Sequence, residues 1–551
     1  MKKSLLLSAA ALMAAQGLLA SSPVMMQDVQ FWGVSPDGKM TASFLGGRCQ
    51  IIDTETGAAL YTYNPSDDGL IAYSFPNGNG ISDNGIVLGS TQSNNNACYW
   101  KNGMWSTLYE PKPQHLNNSN GITPDGRFIC GSIGAAEFGL GETKVPMLVP
   151  AVWEVREDGT YGVPTLLPYP ETDLTGRVPQ YVTALCISDD GNTIIGQVQD
   201  YSGMLTMPII YMKDSEGEWD YNCRVGNELV NPGNIECPEW PGECPNQPNA
   251  LDYMTEEEQQ DYNDAYVQWA AGGYQGDMPE YTDYMTAQEK AAYDAAMAKW
   301  QAAYNEWSVK YQAWEEVFYQ ILDNPNLTLT LFNCAAISPN GKTVVIGAEV
   351  MYEDPSSWMG YSTLISPITI NVDDMQYKKY PNEDFNPTTI LDDGTMVGKS
   401  ENQNLGQWYA NIYLPGAEKP TPLHTYIEAN NADLYAWLKE KACHDVEIYD
   451  PETGDPKVEK DVWYTGVPYI TRDKSMFLLT MPNTYDNEAE CESFGYILPM
   501  DYDAAGIGAV AIDDNDAPVE YYTIDGVRVE NPSARGIYIM RQGNKTLKVM
   551  K

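Results

Sequence analysis

Apolar positions along this chain come in short runs, and each run is introduced by a polar corner of one form. An apolar residue is followed by Ser, Thr or Asp, and then by Asp/Asn-Gly. The corner stands at Val34 (VSPDGKMTA), Ile81 (ISDNGIVLG), Ile122 (ITPDGRFICG), Ile187 (ISDDGNTIIG), Ile337 (ISPNGKTVVIG) and Leu391 (LDDGTMVG). A degenerate seventh copy, ITRDKSMFLL from Ile470, carries Lys474 where the others carry glycine. The turn glycines are Gly38, Gly85, Gly126, Gly191, Gly341 and Gly394. Asp/Asn-Gly reverses the chain because both residues tolerate positive φ, and the preceding proline of three copies presets φ for the first turn position. The apolar run that follows predicts a strand buried on both faces. The glycine at its end suits a bulge or a close backbone approach. A second, aromatic strand closes the unit: ACYW at Ala97, AVWEV at Ala151, PIIYM at Pro208, YANIYL at Tyr409 and FGYIL at Phe494.

Most gaps between the turn glycines run from 41 to 65 residues, and the gap from Gly191 to Gly341 is 150. Short strands with turn signals at a period of about 45 residues predict a β-propeller or a similar radial array. One such unit cannot bury its apolar face alone, and stacking against its neighbours does so. The expected fold is all-β, a β-propeller of about seven blades, with six or eight as neighbouring counts and an irregular series of sandwiches as the alternative.

The long gap changes composition. Asn231 to Asn249 is rich in Pro, Gly, Asn and Cys and predicts a linker. Thr255-Glu-Glu-Glu258 and Thr286-Ala-Gln-Glu289 are capping boxes that start two helices. Ala271 to Gly273 ends the first, and Asn324-Pro325 the second. The second carries Tyr293, Met297, Trp300, Tyr304, Trp307, Tyr311, Trp314 and Phe318 at alternating spacings of 4 and 3, one continuous face. Tyr262, Tyr266 and Trp269 repeat that step on the first helix. The pattern predicts an antiparallel helical hairpin. Its aromatic stripe is either the hairpin core or a rest against the propeller rim, or else an exposed stacking platform for sugar rings or a partner protein. In the second reading Trp307, Tyr311, Trp314 and Phe318 are the ligand-binding candidates, because the shorter first helix leaves that end uncovered.

Charge and address narrow the class. The net charge of −44 argues against nucleic acid and anionic lipid as partners. Lys2 and Lys3, the apolar run Ser4 to Leu19 and the small residues at Ala20 to Ser22 predict a secretory signal peptide over residues 1–20. No later stretch is apolar enough for a transmembrane span. Ten Cys in an exported chain permit disulfides, and Cys237 with Cys244, bracketing a Pro- and Gly-rich loop, are the candidate pair. Cys49, Cys98, Cys130 and Cys186 sit in apparent strands, where buried thiols are the competing reading. Only His115, His424 and His444 exist, and no Cys-x-x-Cys occurs, so a His-based zinc site or catalytic triad has almost no material. No metal, cofactor or catalytic residue is assigned. Asp37, Asp83, Asp125 and Asp189 lack the Asp/Asn-x-Asp ladder of a calcium loop and are expected to serve the turns.

Two resemblances follow from these residues. Ile81 to Ser90, Ala97 to Trp100 and Gly103-Met104 resemble the HAF-type extracellular repeat, and the other copies match it mainly at the turn. After Asp513, Asp514 and Asp516 the charge changes sign: Tyr521 to Lys551 holds six Lys or Arg against two Asp or Glu. Tyr521-Tyr522, Asp525 to Val529, Asn531-Pro532, Gly536 to Ile539 and Lys548-Val549 resemble the type IX secretion sorting domain of exported Bacteroidetes proteins. That resemblance implies passage across the outer membrane and an export machinery as partner. The expected organisation is a signal peptide (1–20), blades one to four (28–230), linker and helical hairpin (231–326), blades five to seven (327–502), an acidic linker (503–519) and a sorting-like β module (520–551). The expected role is a secreted or outer-membrane-surface protein that binds a glycan or protein ligand. The alternatives are a structural or adhesive component assembled through the hairpin, or a carbohydrate-active hydrolase with carboxylates in the propeller channel.

Overall fold

The computed structural model describes residues 22–504 apart from 46–47, 63–71, 75–79, 92–95, 109–116, 135–147, 172, 174–177, 180, 200–204, 323–330, 354–360, 381–383, 403–406, 450–455, 464 and 483–492. Beyond 504 it describes the strands of 519–550. The expected signal peptide and most of the acidic linker lie outside the described residues. The fold is mostly β with a few helices, and the chain forms two compact units, Gly69–Gly394 and Met1–Asp68 with Thr395–Lys551.

The polar corners explain the local geometry. Gly38, Gly85, Gly126, Gly191, Gly341, Gly394 and Lys474 each donate their N–H to the carbonyl three residues earlier. All seven sit at φ between 61° and 86°. Where the corner opens with Ser or Thr, that hydroxyl donates to the side chain just before the turn glycine or Lys474, as Ser35 does to Asp37 at 2.8 Å and Ser188 to Asp190 at 2.6 Å. The same oxygen accepts the N–H that opens the next strand, at 3.0 Å for Met40 and for Thr193. The acceptors are therefore Asn84 and Asp190 rather than the Asp83 and Asp189 expected to serve those two turns. Burial pushes Asp37, Asp190 and Asp473 upward in pKa. Hydrogen bonds from Lys39 and Ser35, from Ser188 and Asn192, and from Ser475 and Thr471 outweigh it, and all three carboxyls lie below the ordinary value.

In the unit Gly69–Gly394 each corner precedes an antiparallel pair. Phe128–Gly134 follows one corner and pairs with Leu148–Glu154, Ile129 opposite Trp153. Thr193–Gln199 follows the next and pairs with Thr206–Lys213, Ile195 opposite Ile210. Thr343–Glu353 follows a third and pairs with Tyr361–Asn371, Ile346 opposite Ile368. The glycine closing each run faces a bulge: Gly131 lies against the register shift between Ser119 and Gly121, and a Cβ there would fall 1.9 Å from the Asn118 carbonyl oxygen. Apolar side chains of neighbouring sheets merge into one core that includes Val182, Ile194, Ile209, Tyr211, Val344, Ile346 and Ile368. Among the described residues three α-helices belong to this unit: α1 (Arg224–Val230), α2 (Glu256–Ala271) and α3 (Ala287–Leu322).

In the other unit Phe31–Val34, Met40–Leu45, Arg48–Asp53 and Ala59–Thr62 form one four-stranded sheet. Val467–Ile470, Met476–Pro482 and Ser493–Pro499 form a second, and the N-terminal strand Val24–Gln27 completes it, Val24 opposite Ile497. Two helices not expected from the turn period stand here, α4 (Leu423–Asn430) and α5 (Ala432–Ala442), which bury Leu423, Ile427, Leu434 and Leu438. Asn431 between them caps α5 by accepting from the Leu434 N–H at 2.9 Å. The strands Val519–Thr523, Arg528–Val529, Ile537–Gln542 and Lys545–Met550 form a separate four-stranded sheet. Among the described helices none is long and apolar enough to cross a membrane.

Candidate functional site

Two features of the unit Gly69–Gly394 present groups able to bind something: the helical insert and a groove beside α1.

The insert begins as its capping boxes dictate. The Thr255 hydroxyl accepts from the Glu258 N–H, and the Glu258 carboxylate accepts from the Thr255 N–H at 2.8 Å. Thr286 and Glu289 repeat the arrangement at the start of α3. The helices do not form the expected antiparallel hairpin. After Gly272 the chain runs back along α2: Trp269 meets Tyr274 at 4.9 Å, and Tyr262 stacks on Tyr281 at 4.2 Å. Both helix N-termini therefore come together, and Glu258 also contacts the Thr286 backbone and the Glu289 side chain. The Thr255 backbone N–H, first, and the Thr255 hydroxyl hold the Glu258 carboxyl below its ordinary value. Unpaired N–H groups at two helix starts supply the positive potential that lets two carboxylates adjoin.

The arrangement is a duplication whose halves exchange contacts. Asp252-Tyr-Met-Thr255, Glu258, Tyr262 and Trp269 recur 31 residues later as Asp283-Tyr-Met-Thr286, Glu289, Tyr293 and Trp300. Tyr253 packs edge-on against Tyr293 at 5.6 Å, and its equivalent Tyr284 packs edge-on against Tyr262 at 5.8 Å. The Trp300 indole N–H donates to the Pro245 carbonyl at 3.0 Å, and the Trp269 indole N–H to the Gly276 carbonyl at 3.2 Å. Pro245 and Gly276 are themselves 31 residues apart. Each helix is thus strapped by the extended segment that leads into the other. The repeat was visible in the sequence as the doubled Asp-Tyr-Met-Thr, a signal that capping-box analysis alone passes over.

The strap on α3 overturns the exposed-platform reading of its stripe. Trp307 donates to the Gly242 carbonyl at 2.8 Å, and Trp240 packs edge-on against Tyr311 at 5.8 Å and Trp314 at 4.7 Å. Trp314 and Phe318 are each only 5% exposed and share a cluster with Leu205. Trp307, Tyr311, Trp314 and Phe318 are therefore interior contacts of the insert, because the linker lies along them. The same geometry corrects the Cys237–Cys244 pairing: both thiols are free. The linker lies extended on a helix that rises roughly 16 Å between its contacts at Trp300 and Tyr311, which holds the two cysteines beyond bridging distance. Cys237 turns under the Trp240 cluster, where burial pushes its thiol up to about 11, and Cys244 is exposed. Cys49, Cys98, Cys130 and Cys186 are buried, in line with the competing reading.

What the insert does expose is a different set of rings. Tyr266 and Tyr274 stand out beside the half-buried Trp269 at the end of α2, and Met278 and Tyr281 are exposed on the return segment, Tyr281 against Tyr262.

The groove is built by α1. Val225, Leu229 and Val230 bury one face of this helix in the core, so Arg224, Asn227 and Glu228 face outward. The Arg224 guanidinium donates to the Asp374 and Met375 carbonyls, both at 3.2 Å, and lies 3.7 Å from Glu228. Cys223, Asn231, Pro232, Asn234 and Tyr377 complete a cavity of about 770 Å³. Burial pushes the Cys223 thiol up to about 12. Among the described residues no cluster of His, Cys, Asp and Glu could hold a metal, and Asp158 and Glu306, like Asp37, Asp190, Glu258 and Asp473, lie below the ordinary carboxyl value.

No family model matches this sequence, and no curated protein matches it. Among solved structures it is similar to a prolyl endopeptidase, at 10% identity and a TM-score of 0.34, over 85% of this chain and 46% of that one. It is also similar to the tricorn protease, at 10% identity and a TM-score of 0.29, over 96% of this chain and 52% of that one. The chain spans about half the length of these structures.

Proposed function

We propose that this chain is a secreted or cell-surface binding protein built on a β-propeller of about seven blades, and that a glycan is its ligand. The groove beside α1 carries the ligand assignment. Its volume of about 770 Å³ falls in the ordinary range of ligand sites. Its lining mixes apolar surface, including Cys223, Pro232 and the Tyr377 ring, with a guanidinium, a carboxylate and three Asn amides. Planar polar side chains pair with vicinal hydroxyls, and the Tyr377 ring offers a face for the apolar side of a sugar. Arg224 and Glu228 neutralise each other, which suits an uncharged saccharide.

The propeller reading is supported by the seven corners, which share one turn bond. Within each unit successive corners touch. Asn84 donates to the Asp125 carbonyl at 2.6 Å, Asp189 to Pro339 at 3.0 Å, and Asn340 to the Asp392 carboxylate at 2.9 Å. In the other unit Lys474 donates to the Thr395 hydroxyl at 3.0 Å. The HAF-like repeat, the signal peptide and the sorting-like terminal sheet belong to the same proposal, with export machinery as the partner of that sheet.

A glycan array on the mature chain, repeated with Asn227→Ala and Tyr377→Ala, tests the assignment. Loss of about tenfold in affinity on either change is expected for a groove ligand. Hits that neither change alters would move the ligand elsewhere, and an array without hits would remove the glycan. A stable oligomer on sizing would favour the adhesive alternative instead.

A further inference from the structure

We infer that the exposed aromatic ledge at the end of α2 is a docking surface for an extended, lysine- or arginine-bearing segment of another protein. This is independent of the groove.

The ledge is real surface. Tyr274 is 65% exposed, Met278 53%, Tyr266 40% and Tyr281 38%. Its rings form a connected set: Tyr266 to Trp269 at 5.6 Å, Trp269 to Tyr274 at 4.9 Å, and Tyr266 to Tyr262 at 6.1 Å. Singly exposed apolar residues are ordinary, whereas a contiguous aromatic set marks an interaction site.

The duplication shows what such a face receives. On α3 the equivalent stripe continues past Trp300 beneath an extended strap whose carbonyls accept from Trp300 and Trp307 and whose Trp240 fills the space beyond. On α2 the helix ends at Ala271, the strap is the short return after Gly273, and the rings around Trp269 keep an open side. The architecture is thus one that grips extended chain against helix-borne aromatics, with one of its two seats partly vacant.

Charge selects the occupant. Residues 250–289 contain ten Asp or Glu and no Lys, Arg or His. None of the ten is in an ion pair among the described residues. A cationic side chain crossing this ledge meets Tyr and Trp faces, which attract it through their quadrupoles. Asp264, Asp277, Glu280 and Asp283 are exposed nearby in sequence. Electrostatic complementarity of this kind sets partner choice and on-rate.

The test is fluorescence anisotropy with the full chain and a labelled peptide of alternating lysine and proline, whose backbone is extended. An alternating glutamate–proline peptide and a soluble β-glucan serve as the other arms. Saturable binding of the lysine peptide, one per chain, is expected. The double variant Tyr266→Ala with Tyr274→Ala should weaken it by about tenfold or more. Both rings are exposed, so that variant should keep the parent's thermal transition. A second variant, Asp277→Asn with Glu280→Gln, should weaken binding and flatten its salt dependence. Wild-type affinity in the aromatic variant would overturn the inference, since attraction would then be the net charge of the chain alone. So would equal binding of the glutamate peptide, displacement of the lysine peptide by the glucan, or a dimer in sedimentation that the aromatic variant abolishes.

Discussion

The indole N–H of Trp300 donates to the carbonyl of Pro245 across 55 residues of sequence. With the parallel bond from Trp307 to Gly242, it holds an extended strap on a helix whose aromatic face would otherwise be bare.

Removing those donors should loosen the strap without unfolding the unit. Trp300→Phe and Trp307→Phe each keep an aromatic ring and forfeit one hydrogen bond, worth about 1 kcal/mol. Trp314→Ala empties a buried site and should cost about 3–5 kcal/mol. Limited proteolysis within residues 238–248 reads both: about fivefold faster cleavage for each Phe variant, and near-complete loss of protection for the Ala variant. Unchanged protection in the Phe variants would mean that packing alone seats the strap.

Two corner glycines separate backbone strain from crowding. Gly394 (φ 86°) has open space around a would-be Cβ, whereas at Gly126 (φ 68°) that atom would stand 2.7 Å from the Asn84 side chain and 2.8 Å from Ile86. Gly394→Ala should cost about 1–2 kcal/mol, the left-handed penalty alone. Gly126→Ala should cost at least about 1 kcal/mol more, since a neighbouring corner must shift. Urea unfolding of the two variants compares them within one compact unit; equal costs would show that adjacent corners give way freely.

His424 lies flat on Trp463, with ring centres 4.2 Å apart and planes 3° apart. Burial lowers its pKa from 6.5 to about 4. The unfolded chain therefore binds a proton between those values that the folded chain refuses. The resulting stability is full above about pH 6.5, falls as pH drops toward 4, and changes no further below that. With the ring partly exposed, roughly 1–2 kcal/mol is at stake. Thermal melts at pH 7 and pH 4.5 should show a smaller drop for His424→Phe than for the parent. An identical drop would remove His424 from the acid response.

Cysteine labelling checks the strap independently. Cys244 is exposed and Cys237 half-buried, both as free thiols. Brief alkylation of the native chain should modify Cys244 first, Cys237 slowly, and Cys49 and Cys130 only after denaturation. Mass spectrometry showing Cys237 linked to Cys244 would contradict the extended path of the strap.

Much of the β framework is legible in the chain because its determinants are local. Six of the seven corners bring a hydroxyl, a short acceptor and a residue at positive φ within four positions, and the one at Leu391 turns without the hydroxyl; even Lys474 is recognisable by the company of Thr471 and Asp473. The capping boxes at Thr255 and Thr286 are equally local. By contrast α4 and α5 are not legible in the chain, since their apolar spacing carries no corner or aromatic stripe to announce it.

The sequence by itself determined where the corner-led strands and the helices α2 and α3 begin, and that α3 carries one continuous aromatic face. Only the tertiary structure decided what covers that face. The answer rests on carbonyls of Gly242 and Pro245, which any residue could supply, and on a pairing between segments more than fifty residues apart. Backbone acceptors leave no side-chain signature, so the same stripe is compatible with a bare platform and with a strapped core. Closing the loop that brings the strap home settled it, and moved the exposed rings from Trp307 and Phe318 to Tyr266 and Tyr274.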